Sequence, residues 1–352
     1  MKRILVTGAG GPAATNFIRS LRLAPEPFYI VGTDANAFHL ALSRADVNYP
    51  LPLVSDPEYL SELNGLIEKE DIGFVHSQPD VEVHFLSEHR EEVRARMLLP
   101  DRETIAVCAD KLAFADRLRQ AGVPCAETFR VTDEASLTKN VEVLLQKHEK
   151  VWLRARRGAG GRASLPVKSA EQAQMWVAYW AANGLRVDDF MVSEFLPGHE
   201  FAFQSIWEHG RLVTSQARER LEYLFGYLTP SGQTSSPALA RTVRRPDVNE
   251  AAAAAVRAVD EGAHGIFCVD VKENVGGVPC VTEINAGRFF TTSIFFSEAG
   301  CNMPYYYLRM AYEEDLPDLP QFNAVPEGLY WVRLMDMGDK LLREGEWKHD
   351  PA

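Results

Sequence analysis

The sequence has no CxxC pair, no uninterrupted apolar run near the roughly 18 residues of a membrane helix, no repeat, no low-complexity tract and no excess of positive charge. Each absence excludes something. The five cysteines (Cys108, Cys125, Cys268, Cys280, Cys301) are scattered and odd in number. They argue against a disulfide framework or a zinc site and for a reducing, cytoplasmic setting. Residues 1–6 open like a signal peptide, but Gly8, Gly10, Gly11 and Pro12 cut the apolar run, so no secretory core is expected. No membrane association is expected either. With 37 basic against 49 acidic residues and a net charge of −12, a nucleic-acid partner is not expected.

What remains is the composition of a globular protein: 352 residues, 46% hydrophobic and 24% charged. That length suits two or three compact units sharing a cleft. The first hundred residues alternate apolar runs (3–7, 29–32, 73–77) with helical periodicity (16–23, 57–70), the pattern of a parallel, doubly wound sheet. A helix is expected from 108 to 122, with Asp110 as its cap and Gly122-Val123-Pro124 as its stop. Further helices are expected at 136–148 and 170–183, with strands at 151–154, 165–167 and 190–194. The later half reads as an antiparallel sheet: 200–208, a turn at His209-Gly210, then 211–216. An alanine-rich helix (249–261) precedes a hairpin with arms 266–271 and 279–284, joined through Asn274-Val275-Gly276-Gly277. Beyond about Pro317 the tail reads as irregular until an apolar run at 329–334. The expected organisation is an N-terminal Rossmann-like domain over 1–107, a middle α+β lobe over 108–193 and a larger lobe over 194–352.

The hairpin carries the strongest chemical pattern. Glu283 and Asn285 are two apart on a strand and leave the same face. If the arms pair, Asp270 joins them. Two carboxylates and an amide oxygen form a hard donor set of the kind magnesium takes beside phosphates. Arg288 follows, a fixed cation for a transferring phosphoryl group. A hairpin with solvated polar residues is the bland alternative. The apolar neighbours Cys268, Val269, Val271, Val281 and Ile284 weigh against it, since charges embedded among them need a partner or a metal.

Upstream, the strand ending at Arg154 runs into Arg156-Arg157-Gly158-Ala159-Gly160-Gly161-Arg162. Its glycines free backbone amides to approach phosphates, while a flexible surface hairpin would look the same. Lys111, one residue inside a capped helix, is by itself more readily a surface lysine than a ligand. Residues 194–200 form an extended crossing that can present backbone groups and Glu200 to a nucleotide, or serve as an ordinary turn.

Taken in order, these pieces resemble the ATP-grasp superfamily, nearest to the carbamoyl phosphate synthetase large subunit and related carboxylate–amine ligases. The likeness covers roughly the last two-thirds of the chain. It implies a two-lobed ATP-grasp fold, ATP with magnesium (or manganese), small-molecule carboxylate and amine substrates, and an acyl phosphate intermediate. It assigns Lys111, Arg154 and the loop at Gly158, Gly160 and Gly161 to the phosphates. Glu194, Phe195 and Leu196 fall to adenine and Glu200 to ribose. Asp270, Glu283 and Asn285 fall to the metal, with Arg288 and Arg154 catalytic. A homodimer is an expectation from the resemblance alone. Two departures stand out: Arg154 where the family usually has lysine, and an extra residue, from Ala286-Gly287, before Arg288. Phe289 and Phe290 follow where small residues are frequent, suggesting an acceptor pocket.

Gly8-Ala9-Gly10-Gly11-Pro12-Ala13-Ala14, with Asp34 after the next strand, also resembles a dinucleotide fingerprint with alanine at its last glycine position. An NAD-dependent oxidoreductase is therefore an alternative. So are carboxyphosphate or carbamoyl phosphate chemistry and an ATP-binding regulator without turnover. Arg218, Arg220 and Arg241 are further candidates for gripping a carboxylate, and His76 and His199 are as well read as structural.

Overall fold

The structure is a computed structural model and describes residues 1–158, 161–234, 236–335 and 338–346. Its first sheet is four-stranded and parallel, in the order β3-β2-β1-β4, from β1 (Lys2–Thr7), β2 (Phe28–Asp34), β3 (Val47–Pro50) and β4 (Phe74–His76). Strands buried on both faces need helices on both, and α1 (Pro12–Arg22), α2 (Ala37–Leu40), α3 (Tyr59–Lys69) and α4 (Asp80–Glu88) alternate with them. Helix α1 opens on Gly11 with Pro12 in its first turn and no side-chain cap, so its leading amides are left for a ligand or solvent.

Two short helices, α5 (Arg102–Ala109) and α6 (Lys111–Gln120), follow. The single helix expected from residue 108 is instead broken at Asp110. Its extended backbone ends α5, and its carboxylate caps α6 by accepting from the amides of Leu112 and Ala113 at 3.1 and 3.3 Å. The second sheet has the order β5-β8-β6-β7, from β5 (Thr128–Arg130), β6 (Val151–Ala155), β7 (Leu165–Val167) and β8 (Phe190–Glu194). It is backed by α7 (Glu134–Leu145) and α8 (Ala170–Ala181) around Leu137, Val141, Leu153 and Phe190.

The third sheet is seven-stranded and antiparallel, in the order β13-β12-β9-β10-β11-β14-β15. Its strands are β9 (Glu200–Glu208), β10 (Arg211–Tyr223), β11 (Pro237–Thr242), β12 (Gly265–Glu273), β13 (Pro279–Ala286), β14 (Leu329–Leu334) and β15 (Gly338–Arg343). Helix α9 (Pro246–Val259) precedes β12, and α10 (Ile294–Glu298) and α11 (Met303–Ala311) follow β13. Strand β10 continues to Tyr223, seven residues past the expected end, because β9 and β11 both give it partners. Strands β11 and β15 and helices α10 and α11 were not expected. Among the described residues, no helix is long and apolar enough to cross a membrane.

Cores join segments distant in sequence. Cys108, Phe114, Leu118 and Val123 pack with α9 and one face of the large sheet, although they precede the middle sheet in the chain. On its other face, Ile206, Ile266 and Cys268 share a core with α1, β1, β4, α10 and α11. This shared core fixes the glycine turn of the first sheet beside the end of β13.

Candidate active site

The hairpin β12–β13 pairs Asp270 with Glu283 and Cys268 with Asn285, and a bulge between Asp270 and Val271 leaves Thr282 donating to the Asp270 carbonyl at 3.1 Å. Asp270, Glu283 and Asn285 thus share one face. The Asn285 amide nitrogen donates to Asp270 at 3.3 Å, and Arg220, from the extended part of β10, donates to the other Asp270 oxygen at 2.5 Å. Lys111 lies 3.6 Å from the Glu283 carboxylate and donates to the Gly158 carbonyl at 2.6 Å, tying α6 to the glycine loop.

Lys111 and Asn285 are buried and Asp270, Glu283 and Arg220 half-buried, so their charges act in a medium of lowered dielectric. Burial raises the Asp270 carboxyl above the usual range, with Arg220 opposing and Glu283 and Glu200 adding to the rise. Burial would raise Glu283 too, but Lys111, Arg154 and Arg288 outweigh it and hold that carboxyl low. The two neighbours are pushed in opposite directions by different partners.

Arg288 owes its place to the inserted glycine. Gly287 has φ +87°, and a Cβ there would come within 3.0 Å of Val83 and 3.1 Å of Leu99. A side chain there would be strained by the positive φ and would have to push Val83 and Leu99 aside. The turn sends Arg288 toward the first sheet, where it donates to Asp80 at 3.0 Å and, with the same nitrogen, to the Asn285 side-chain oxygen at 2.5 Å. Arg154 on β6 is half-buried, with its Nε unpartnered and an Nη donating to the Thr282 carbonyl at 3.4 Å.

At the end of β8, the Glu194 carboxylate accepts from the Glu127 amide at 3.3 Å, and the Phe195 ring carries the Lys150 ammonium at 3.9 Å. Glu200 is crowded: Arg220 donates to it at 3.0 Å, Gln233 at 2.7 Å and Lys272 at 3.4 Å, and the Tyr223 hydroxyl also donates. Burial raises its carboxyl, yet Arg220, Lys272 and Tyr223 bring it below the usual range.

Lys111, Arg154, Gly158, Gly161, Glu194, Phe195, Leu196, Glu200, Asp270, Glu283, Asn285 and Arg288 all line one cavity of about 460 Å³. Gly160 lies outside the described residues. The same cavity reaches the turn at Gly8 and Gly11, the start of α1, and Gln78, whose buried amide has no partner at either end. Gln78, Asp80, Tyr223 and Gln233 were not singled out from sequence. They come from loops and element ends with no periodic signal. Arg220 does show one, alternating with Arg218 along β10. His76 is not in the cavity: it is buried, stacked on Phe17 at 3.9 Å. His199 and Arg241 both turn to Glu219 instead. Asp34, the residue that would meet a dinucleotide ribose, accepts from the Gly10 and Asn36 amides at 3.2 and 2.9 Å.

Among the described residues, Glu127, His148 and Glu194 also bring ligand-type atoms within 4.8 Å of one another. Lys147 already neutralises Glu127 at 3.0 Å.

Comparison with family models matches residues 108–292 to the ATP-grasp domain and residues 4–98 to the PylC-like N-terminal domain. The chain belongs to the ATP-grasp family. No curated protein matches it in sequence. Solved structures share the ATP-grasp fold at low identity. An L-amino acid ligase from Bacillus licheniformis has a TM-score of 0.70 at 14% identity, over 94% of this chain and 79% of that one. A carboxyaminoimidazole ribonucleotide synthase from Aspergillus clavatus, complexed with ATP, has a TM-score of 0.69 at 18% identity, over 94% and 81%. A biotin carboxylase from Campylobacter jejuni has a TM-score of 0.70 at 15% identity, over 94% and 74%.

Proposed function

We propose that this ATP-grasp chain is a carboxylate–amine ligase that forms an amide or peptide-like bond through an acyl phosphate and releases ADP and phosphate. One observation carries the reading: in a single cavity, the Asp270–Glu283 pair lies beside Lys111, brought in by α6, and Arg288, from the turn just after β13. Carboxylates and cations so interleaved suit a polyphosphate with its counter-ion better than either group alone.

Asp270 and Glu283 offer carboxylate oxygens on one face, Asn285 adds an amide oxygen that here accepts from Arg288, and the charges around Glu283 keep it ionised. That set fits magnesium, with manganese as a substitute. Bound there, the ion neutralises phosphate oxygens. Lys111, Arg154 and the loop at Gly158 and Gly161 hold the phosphates. The end of β8, with Glu194 and the backbone at Phe195 and Leu196, receives adenine, and Glu200 the ribose. To reach Glu200, ribose hydroxyls displace Gln233 or the Tyr223 hydroxyl. The substrate carboxylate sits between the start of α1, Gln78 and Arg288. Its oxygen attacks the γ-phosphorus as the bond to ADP breaks. Arg288 stabilises the charge on the transferring group. The amine nitrogen then attacks the acyl carbon, loses a proton, and phosphate leaves.

The NAD alternative is less well supported, because Asp34 is already engaged by the glycine turn. Incubation with ATP, magnesium and pooled carboxylates and amines is expected to yield ADP and phosphate only when both substrate classes are present. AMP with pyrophosphate would overturn the acyl phosphate, and tight ATP binding without turnover would make the protein a regulator.

A further inference from the structure

Arg218 is the most unusual charge in the molecule. It lies on β10, two residues before Arg220, and is 1% exposed. Among the described residues it makes no ion pair, and its Nε and Nη1 have no partner. Burial disfavours its charge, and Arg220 and, less strongly, Arg333 repel it. Asp270 attracts it, but that carboxylate already accepts from Arg220 at 2.5 Å. A buried charge without a counter-ion is costly, by several kcal/mol on general grounds, so a side chain kept in that state calls for an explanation.

The surroundings specify what is missing. The guanidinium lies over the rings of Phe290 and Phe296, at 5.3 and 5.6 Å. In the segment between those rings, the Thr292 and Ser293 hydroxyls are buried and unpartnered; on β14, one Arg333 nitrogen is buried and unpartnered as well. The group that would satisfy Arg218 is an acceptor with negative charge. Flat aromatic walls suit a planar carboxylate bound through the Arg218 guanidinium fork.

Phe290 connects this place to the cleft. It lines the active-site cavity, and its ring centre is 5.3 Å from both the Arg218 and the Arg220 guanidinium. We propose that Arg218 binds a second carboxylate of the ligase substrate, which enters as Phe290 turns aside, so that the substrate class is a dicarboxylate or an amino acid with two acidic ends. The proposal rests on the cleft being a carboxylate-activating site. One carboxylate lies at Arg288 for activation, and the other pairs with Arg218 behind Phe290. Arg218 then acts as a specificity residue: it selects the substrate's distant end without touching the reacting atoms.

The test measures binding, so that it stands apart from turnover. The full chain is titrated calorimetrically with acetate, bicarbonate and the α,ω-dicarboxylates from malonate to adipate. At least one dicarboxylate is expected to bind tenfold or more tighter than acetate and bicarbonate. Arg218→Met, which keeps an unbranched side chain without the charge, should lose that advantage while its ATP affinity is unchanged, and Arg218→Lys should recover part of it. Equal binding of all the anions overturns the proposal in favour of a free small ion or ordered water. A dicarboxylate advantage that survives Arg218→Met overturns it as well. Absence of ligase turnover, with the binding pattern intact, would sink the ligase reading and leave the Arg218 site standing.

Discussion

Arg288 and Asp80 are 208 positions apart in the chain and 3.0 Å apart in the fold. The pair ties the end of the metal-type hairpin to the start of α4 in the first sheet. It also places the arginine in the candidate cleft, beside the glycine turn. Removing the guanidinium with Arg288→Ala is expected to lower the rate of phosphoryl transfer by about 10²–10³ with little change in ATP affinity. Asp80→Asn, which only loosens the arginine, should cost less, about tenfold in rate. Single-turnover measurements with the acceptor carboxylate would check both, and an unchanged rate in Arg288→Ala would remove its assignment.

The opposed carboxyl shifts at Asp270 and Glu283 yield a second expectation. Asp270→Asn and Glu283→Gln should each raise the magnesium concentration needed for tight ADP binding, by about 100-fold. A Glu127→Gln control, at the other acidic cluster, should leave that requirement alone. Fluorescence titration of a labelled nucleotide across a magnesium series distinguishes the two clusters.

Glu200 is a structural hub as well as a proposed nucleotide ligand. Glu200→Ala leaves Arg220 with Asp270 alone and strands Lys272 and Gln233. Unfolding free energy should fall by about 3 kcal/mol, read from urea denaturation, and nucleotide affinity should fall with it. Glu200→Gln keeps the hydrogen bonds to Tyr223 and Gln233 and should retain more of both. A Glu200→Ala protein as stable as the wild type would show that the cluster contributes no net stability.

His76 sets an acid limit on the fold. Burial pushes its imidazole down to about 3, against an ordinary 6.5. Above the ordinary value neither folded nor unfolded chain is protonated there, and the residue has no pH effect. Below it the unfolded chain takes up a proton that the folded chain refuses. Stability therefore falls by about 1.4 kcal/mol per pH unit, or about 2 kcal/mol by pH 5. His76→Phe, which keeps the stack on Phe17, should flatten that part of the pH dependence. Urea midpoints at pH 7 and 5 for both proteins would decide it, and equal slopes would mean that other groups set the limit.

Much of this protein was legible in one dimension because its signals are local. The alternation of short apolar runs with helical periodicity marks the parallel sheet, since strands covered on both faces must be apolar throughout. The two-residue spacing of Glu283 and Asn285, a turn of asparagine and glycines, and an apolar first arm sufficed to place Asp270 beside them. Asp110 was recognisable as a cap because an aspartate before a helix accepts from its first amides. What local pattern could not show was where one strand finds its neighbours. Strand β10 looked finished at Gln216, yet it runs on to Tyr223 because β11 arrives to pair with it.

The sequence alone determined the order of the elements, the donor chemistry of the hairpin and the family resemblance, all of which depend on residue type and short spacing. Only the tertiary structure decided that Gly287 turns Arg288 onto Asp80, and that Glu200 is surrounded by Arg220, Tyr223, Gln233 and Lys272. It likewise left Arg218 without a carboxylate among the described residues. Those outcomes depend on burial and on contacts between segments far apart in the chain. A charge's effect is set by the partners and dielectric around it, and neither is written in the residues beside it.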